Sequence, residues 1–221
     1  MSTVTRRKFL GAAAGSTMLA AIQPSALFAH QGKANLLPSP SIGNGGSLLS
    51  ALKNRKSTRS FSSQPLPQQM LADLLWAAFG VNRPDIGFRT APSPMNSQEI
   101  EIYVATANGL HLYDANFHQL VQLKKEDIRS FCGKQGFVFN APLNLIYVAD
   151  LSRLGDREDD KKLFYAAADT GFISQNVYLF CAAFGLGTVV RDWIDRPVLA
   201  ERMDLRREQR IILAQTVGYP K

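Results

Sequence analysis

Residues 54–61 read NRKSTRSF and place Arg55, Lys56, Ser57 and Arg59 within five positions, with no acid among them. That combination suits an oxyanion. A phosphate monoester carries nearly two negative charges and is best held by forked, charge-assisted donors, which arginine supplies and a hydroxyl supplements. The same residues also suit a solvated basic turn, and at this point both readings stand. A second stretch, APSPMNSQ, gathers Pro92, Ser93, Pro94 and Asn96 in a polar segment that runs from Val81 to Gln98 and holds three prolines. Long structured loops of this kind are commonly functional.

Other chemistries lack their residues. The three histidines, His30, His111 and His118, have no metal-ligand spacing with cysteines or acids. No serine, histidine and aspartate grouping stands out. Cys132 and Cys181 are the only cysteines and imply no disulfide framework. Cys181 lies in an apolar helical stretch and reads as a small core residue.

The chain has 221 residues, 46% hydrophobic and 19% charged, which is ample for one domain with a real core. Its formal charge of +7 is partly carried by the N-terminus. Arg6, Arg7 and Lys8 precede an apolar run from Phe9 to Ile22, then Pro24 and small residues ending near Ala29. This is the pattern of an export signal, and Arg-Arg followed by Phe9-Leu10 resembles the twin-arginine type. The run is too short and too rich in glycine and alanine for a membrane span. Cleavage after Ala29 would remove three cations and no acid, leaving 7 − 3 = +4. That charge is mild, and no basic stripe interleaved with aromatics points to nucleic acid. A periplasmic or exported location is the expectation.

Several elements must position the basic stretch. Residues 30–47, rich in Gly, Ser, Pro and Asn, read as a linker. SLLSALKNR reads as a short helix with Leu48, Leu49 and Leu52 turned inward, ending at the basic cluster. PLPQQMLADLLWAAFG is a helix with Pro67 at its start and Gly80 as its C-terminal cap. EIEIYVAT alternates as a half-buried strand, and Asn108-Gly109 signals a hairpin into LHLYD. Residues 115–132 read as helical pieces. LNLIYVAD is a continuous apolar strand for the middle of a sheet. DDKKLFYAAADTGFISQNVYLFCAAFGLG reads as one long helix, apolar almost all round; Asp169, Gln175 and Asn176 within it argue against a membrane span. Such a helix needs cover, which a second subunit could give. A short helix from Pro197 and a final buried strand, RIILAQTVGYP, complete the chain.

In order, NRKSTRSF, LLWAAFGVNRP, RTAPSPMNSQEIEIYVAT, APLNLIYVAD, SQNVYLFCAAFGLGT and VGYP resemble the nitroreductase family of FMN-dependent oxidoreductases, over roughly residues 48–220. The pattern is nearest to the branch with SagB-type dehydrogenases. The resemblance implies an α+β fold, a central and mainly antiparallel sheet flanked by helices, in an intertwined homodimer with FMN at the interface. It implies that Arg55, Lys56, Ser57 and Arg59 hold the FMN phosphate, ribityl chain and pyrimidine edge. It implies that Pro92, Ser93, Pro94 and Asn96 reach the flavin of the partner subunit. Near flavin N5 the family often has a small or apolar residue and a glycine; here Arg191, Asp192 and Trp193 stand in that stretch. Arg191 could bind an acidic substrate or pair with Asp192 or Asp195. Many relatives also carry a C-terminal arm with phosphate-binding cations, where this sequence offers only Lys221.

The implied activity is ping-pong transfer through flavin N5 from a donor to a nitroaromatic, quinone or other small acceptor, with no side chain acting as nucleophile or base. Two rival readings are a SagB-like dehydrogenase that oxidises a specific substrate and a non-catalytic flavin or ligand-binding module.

Overall fold

A computed structural model describes residues 33–41, 43 and 46–221. The expected export signal, residues 1–29, lies outside the described residues. Within the expected linker, Ala34–Leu36 form strand β1. Then follow helices α1 (Leu48–Asn54) and α2 (Gln68–Phe79), and a small hairpin of β2 (Val81–Arg83) and β3 (Phe88–Arg89). Strands β4 (Ile100–Thr106), β5 (Gly109–Asp114) and β6 (Gln119–Lys124) come next, then the short helix α3 (Phe137–Asn140). The chain ends with β7 (Leu143–Asp150), α4 (Asp159–Ala183), β8 (Gly187–Arg191), α5 (Arg196–Arg202) and β9 (Gln209–Gly218).

Seven strands form one antiparallel sheet in the order β1-β6-β5-β4-β7-β9-β8. Both faces are covered, and period-two alternation sorts the side chains between them. Ile100, Ile102 and Val104 of β4, with Leu143, Leu145, Tyr147 and Ala149 of β7, pack toward α2 and α4. Tyr103, Ala105, Ile146 and Val148 point the other way, toward Leu199 of α5 and Val138 of α3. All eight residues of β7 are buried, as its unbroken apolar run predicts. The α+β architecture, a central antiparallel sheet between helices, matches the expectation.

Three local expectations fail. Residues 115–132 contain strand β6 and a single 3-10 turn at Arg129–Phe131 rather than helical pieces; tertiary pairing with β5 and β1 overrides local propensity. The proline-punctuated stretch after α2 folds its first part into the β2–β3 hairpin. Leu48, Leu49 and Leu52 of α1 point outward, at 62%, 77% and 48% exposure, and only Ala51 of that helix is buried. Helix α4 behaves similarly: Ile173, Val177, Phe180 and Cys181 are buried, whereas Leu163, Phe164 and Phe172 are exposed. Among the described residues no helix is long and apolar enough to cross a membrane.

Candidate cofactor site

Helix α1 starts at Ser47, whose hydroxyl accepts the Ser50 N–H at 3.2 Å. It delivers the basic stretch to the edge of the sheet. There Ser57 bridges Thr188 of β8 as a single parallel pair, and the Thr58 N–H donates to Thr188 O at 2.9 Å. Gly187 permits this contact: a Cβ there would lie 2.8 Å from Thr58 Cγ2. Farther on, Phe61 bridges Pro220, the Ser62 N–H donates to Tyr219 O at 2.8 Å, and the Lys221 N–H to Ser60 O at 3.2 Å. The chain terminus is therefore fastened alongside the cluster.

Tyr178 of α4 organises the site. Its hydroxyl lies 2.9 Å from Ser57 Oγ and accepts the Val190 N–H at 3.0 Å. The Arg55 guanidinium stands over its ring, 5.1 Å from the centroid. Next to this group is a cavity of about 360 Å³ whose lining includes Asn54, Lys56, Thr58, Tyr178, Thr188 and Pro220. Sequence reading missed Tyr178 and Thr188. The available signal was a phenol in an otherwise apolar helical stretch, NVYLFCAAFG.

Among the described residues, Arg55, Lys56, Arg59 and Lys221 form no ion pair; every described ion pair lies elsewhere. Arg55, Lys56 and three hydroxyls, those of Ser57, Thr58 and Tyr178, thus gather at one sheet edge with no acid paired to either cation among the described residues. This donor set fits a phosphate monoester. The structure brings Arg55, Lys56, Ser57 and the Lys221 backbone together; Arg59 is exposed on the same stretch.

Arg191 has a different position from either one considered above. It is buried, at 4% exposure, and its guanidinium donates to Thr216 Oγ1 at 2.9 Å, Cys132 O at 2.8 Å and Asn144 Oδ1 at 2.9 Å. It pairs with neither Asp192 nor Asp195, and its side chain is not placed to meet a substrate. Burial lowers its affinity for its proton, to a pKa of about 10. The guanidinium occupies the place a side chain at residue 133 would take: a Cβ on Gly133 would lie 2.0 Å from Arg191 Nη1. Asp192 instead pairs with Arg196, and Asp195 with Lys134 at 3.4 Å. Trp193 is exposed, and its carbonyl accepts the Lys134 N–H at 3.1 Å.

Pro92, Ser93, Pro94 and Asn96 lie elsewhere in the chain. Ser93 Oγ accepts the Gln98 N–H at 3.0 Å, and Glu99 O accepts the Asp150 N–H at 2.8 Å. This fixes the loop at the Asp150 end of β7. Ser57 sits beside Thr188, which pairs with Val217 and through it with Leu143, at the other end of β7. Seven strand positions, roughly 23 Å, separate the two regions. Within one chain they do not meet. The loop is strained: Met95, Asn96 and Gln98 have φ of 52°, 56° and 48°.

Comparison with known proteins agrees with the fold. A family model described as the Nitroreductase family matches residues 52–219. "Putative nitroreductase MJ1384" of Methanocaldococcus jannaschii is 33% identical over 148 residues, covering 62% of this chain and 74% of that protein. The crystal structure of a "putative nitroreductase" from Ralstonia eutropha JMP134 aligns with a TM-score of 0.81 and 44% identity, over 85% of this chain and 90% of that one. The NADPH:FMN oxidoreductase of Vibrio harveyi, complexed with NAD+, shares the fold with a TM-score of 0.60 at 19% identity, over 79% of this chain and 69% of its own. The chain belongs to the nitroreductase family and is an oxidoreductase of that type.

Proposed function

We propose that this oxidoreductase binds FMN at the edge formed by Arg55, Lys56, Ser57 and Arg59. The observation that carries the reading is the set of cations with no acid partner beside the Tyr178 cavity. The fold neighbour that is by name an FMN oxidoreductase supports it. Arg55 and Ser57 are preset by Tyr178 to present a guanidinium and a hydroxyl to phosphate and ribityl oxygens. Arg59 would carry its charge to the pyrimidine edge, where a cation favours electron accumulation. Bound FMN would supply two-electron transfer from a donor to a nitroaromatic, quinone or other small acceptor. The chain's own part is to bind, orient and exclude water; no side chain here is asked to move a proton.

The loop of Pro92, Ser93, Pro94 and Asn96 would serve the site of a second copy. Its separation from Ser57 along β7 supports that reading, as do the exposed Leu48, Leu49, Leu52, Phe164 and Phe172, which give a second copy an apolar face. We therefore propose a homodimer; a monomer at micromolar concentration by light scattering would contradict it. Export by a twin-arginine signal and membership of the SagB-type branch belong to the same proposal and rest on sequence pattern.

The decisive experiment is titration of FMN into apoprotein by flavin fluorescence. The expected result is tight, non-covalent binding. Arg55→Ala should weaken it about ten- to hundredfold, the loss of one charged hydrogen bond. Lys221→Ala should weaken it less, because an ammonium is a point charge that cannot offer phosphate the forked pair of hydrogen bonds a guanidinium gives. Protein that stays colourless with FMN would overturn the reading.

A further inference from the structure

The end of the sheet opposite the basic cluster holds an unusual pair. Glu99, the residue before β4, is fully buried, and Asp169 of α4 is 3% exposed. The two carboxyls lie within hydrogen-bonding reach of each other. Glu99 Oε2 accepts the Ser97 hydroxyl at 2.8 Å. Glu99 Oε1 and Asp169 Oδ2 have no protein partner, and the neighbouring Thr170 Oγ1 is also unpaired. Two ionised carboxylates cannot share a dry site without a cation or a proton.

Among the described residues no cation is seen to bond either carboxyl. Arg153, on the turn after β7, bonds Gln98 O at 2.9 Å and Glu101 at 2.6 Å and pairs with Asp150 at 3.5 Å. Arg89 of β3 donates to Gln98 Oε1 at 2.7 Å and Phe79 O at 3.4 Å. Arg157 reaches Leu154 O and Met95 Sδ. The other titratable groups on the elements packed around α4 are Lys53 of α1, Asp73 of α2, Glu101 and Tyr103 of β4, Tyr147 and Asp150 of β7, Arg191 of β8 and Arg210 of β9. None of these bonds Glu99 or Asp169. A proton is what remains to hold the pair together.

We propose that Glu99 and Asp169 form a proton-held clasp that fastens the strained loop of residues 92–98 to helix α4 and loosens it when the shared proton leaves. The clasp spans two elements: Glu99 terminates the loop, and Asp169 sits in the middle of the helix. The left-handed backbone at Met95, Asn96 and Gln98 favours relaxation once the clasp opens. Burial, then the Glu99 charge and hydrogen bond, raise Asp169 from 3.8 to about 7. An acid held above its ordinary value keeps its contribution in full below about pH 4. The contribution falls as pH rises toward 7 and is gone above it. The loop is therefore fastened in acid and loosened toward neutrality and beyond, with or without a bound cofactor.

Hydrogen exchange at the Asn96, Ser97 and Gln98 amides tests this, since each N–H is bonded within the loop. In the wild-type protein their protection, corrected for intrinsic rates, should fall between about pH 5 and 7. The slope should approach the one-proton limit of about tenfold per pH unit and level off above it. In Glu99→Gln and in Asp169→Asn an amide N–H replaces the shared proton, and protection should be flat over that range. An infrared carbonyl band of a protonated carboxyl should be present in the wild-type protein at about pH 5 to 6, fade toward pH 9 and be missing from both variants. A flat wild-type profile, an equal slope in the variants, or no protonated carboxyl band at about pH 6 each overturns the clasp. The infrared titration needs only wild-type protein, so it decides the matter even if neither variant folds.

Discussion

The two ends of the central sheet solve opposite electrostatic problems. At the β8 edge, Lys56, Arg59 and Lys221 are exposed and Arg55 is half-buried over Tyr178, and among the described residues none of them pairs with an acid. At the Asp150 end, Glu99 and Asp169 are buried, and among the described residues no cation bonds either of them. Exposed like charges can wait for a ligand, because water screens them at little cost. Buried like charges cannot wait, and a proton must neutralise one of them. Excess charge at the surface therefore marks binding capacity, whereas excess charge in the core marks a titrating joint.

Arg191 gives the largest test of that contrast, because it is a cation near the first end but buried like the second. Its three neutral acceptors, Thr216 Oγ1, Cys132 O and Asn144 Oδ1, would lose their donor in Arg191→Ala. Urea unfolding should show a loss of roughly 3 kcal/mol or more, from unpaired buried acceptors and the space left behind. A loss under about 1 kcal/mol would mean that burial does not separate the arginines.

Asp169→Asn comes next. On the proposed clasp the folded protein would keep a proton on the pair from about pH 4 to about pH 7, so wild-type stability should decline across that window relative to the variant. The difference between the two stability curves should change by something on the order of 4 kcal/mol, about 1.4 kcal/mol for each unit by which the acid is raised. Asp73, Asp127 and Asp150, all held below their ordinary value in part by hydrogen bonds, act in the opposite sense and lose stability only as pH falls through the acid range. Parallel curves for wild type and variant would remove the joint.

Arg59→Ala should have the smallest effect. An exposed cation with no ion pair should alter unfolding free energy by less than about 0.5 kcal/mol. A larger loss of stability would place Arg59 in the structural class with Arg191.

Much of the sheet was legible from sequence because burial on one or both faces leaves a strong pattern. The unbroken LNLIYVAD became β7, and the alternation of Ile100, Ile102 and Val104 became β4. Helix α4 followed from length and apolar content. The basic stretch was legible as chemistry, but its location on Thr188 was not, since one bridge and one close glycine leave no periodic signal. The direction of Leu48, Leu49 and Leu52 was misread because three leucines on a short helix signal an apolar face and not what covers it. Arg191 was illegible for a related reason. Its partners are a carbonyl, an amide and a hydroxyl from three distant segments, none of which carries a charge to suggest a pair.

The sheet's two margins have a further consequence. An open strand edge is a template on which another chain can add itself. Strand β6, QLVQLK, would present such an edge, but β1 covers it with only three residues, Ala34–Leu36. Strand β8 would present the other, and the single Ser57 bridge with the Thr58 amide blocks it. The stretch that gathers the cations therefore also guards the sheet against edge-to-edge growth. Its charges help in that task, since lysine and arginine along a margin repel a second copy approaching in register. Truncation into β1, or an apolar replacement of residues 55–59, would then reveal itself first as fibrillar or amorphous aggregation, before any change in the rest of the fold.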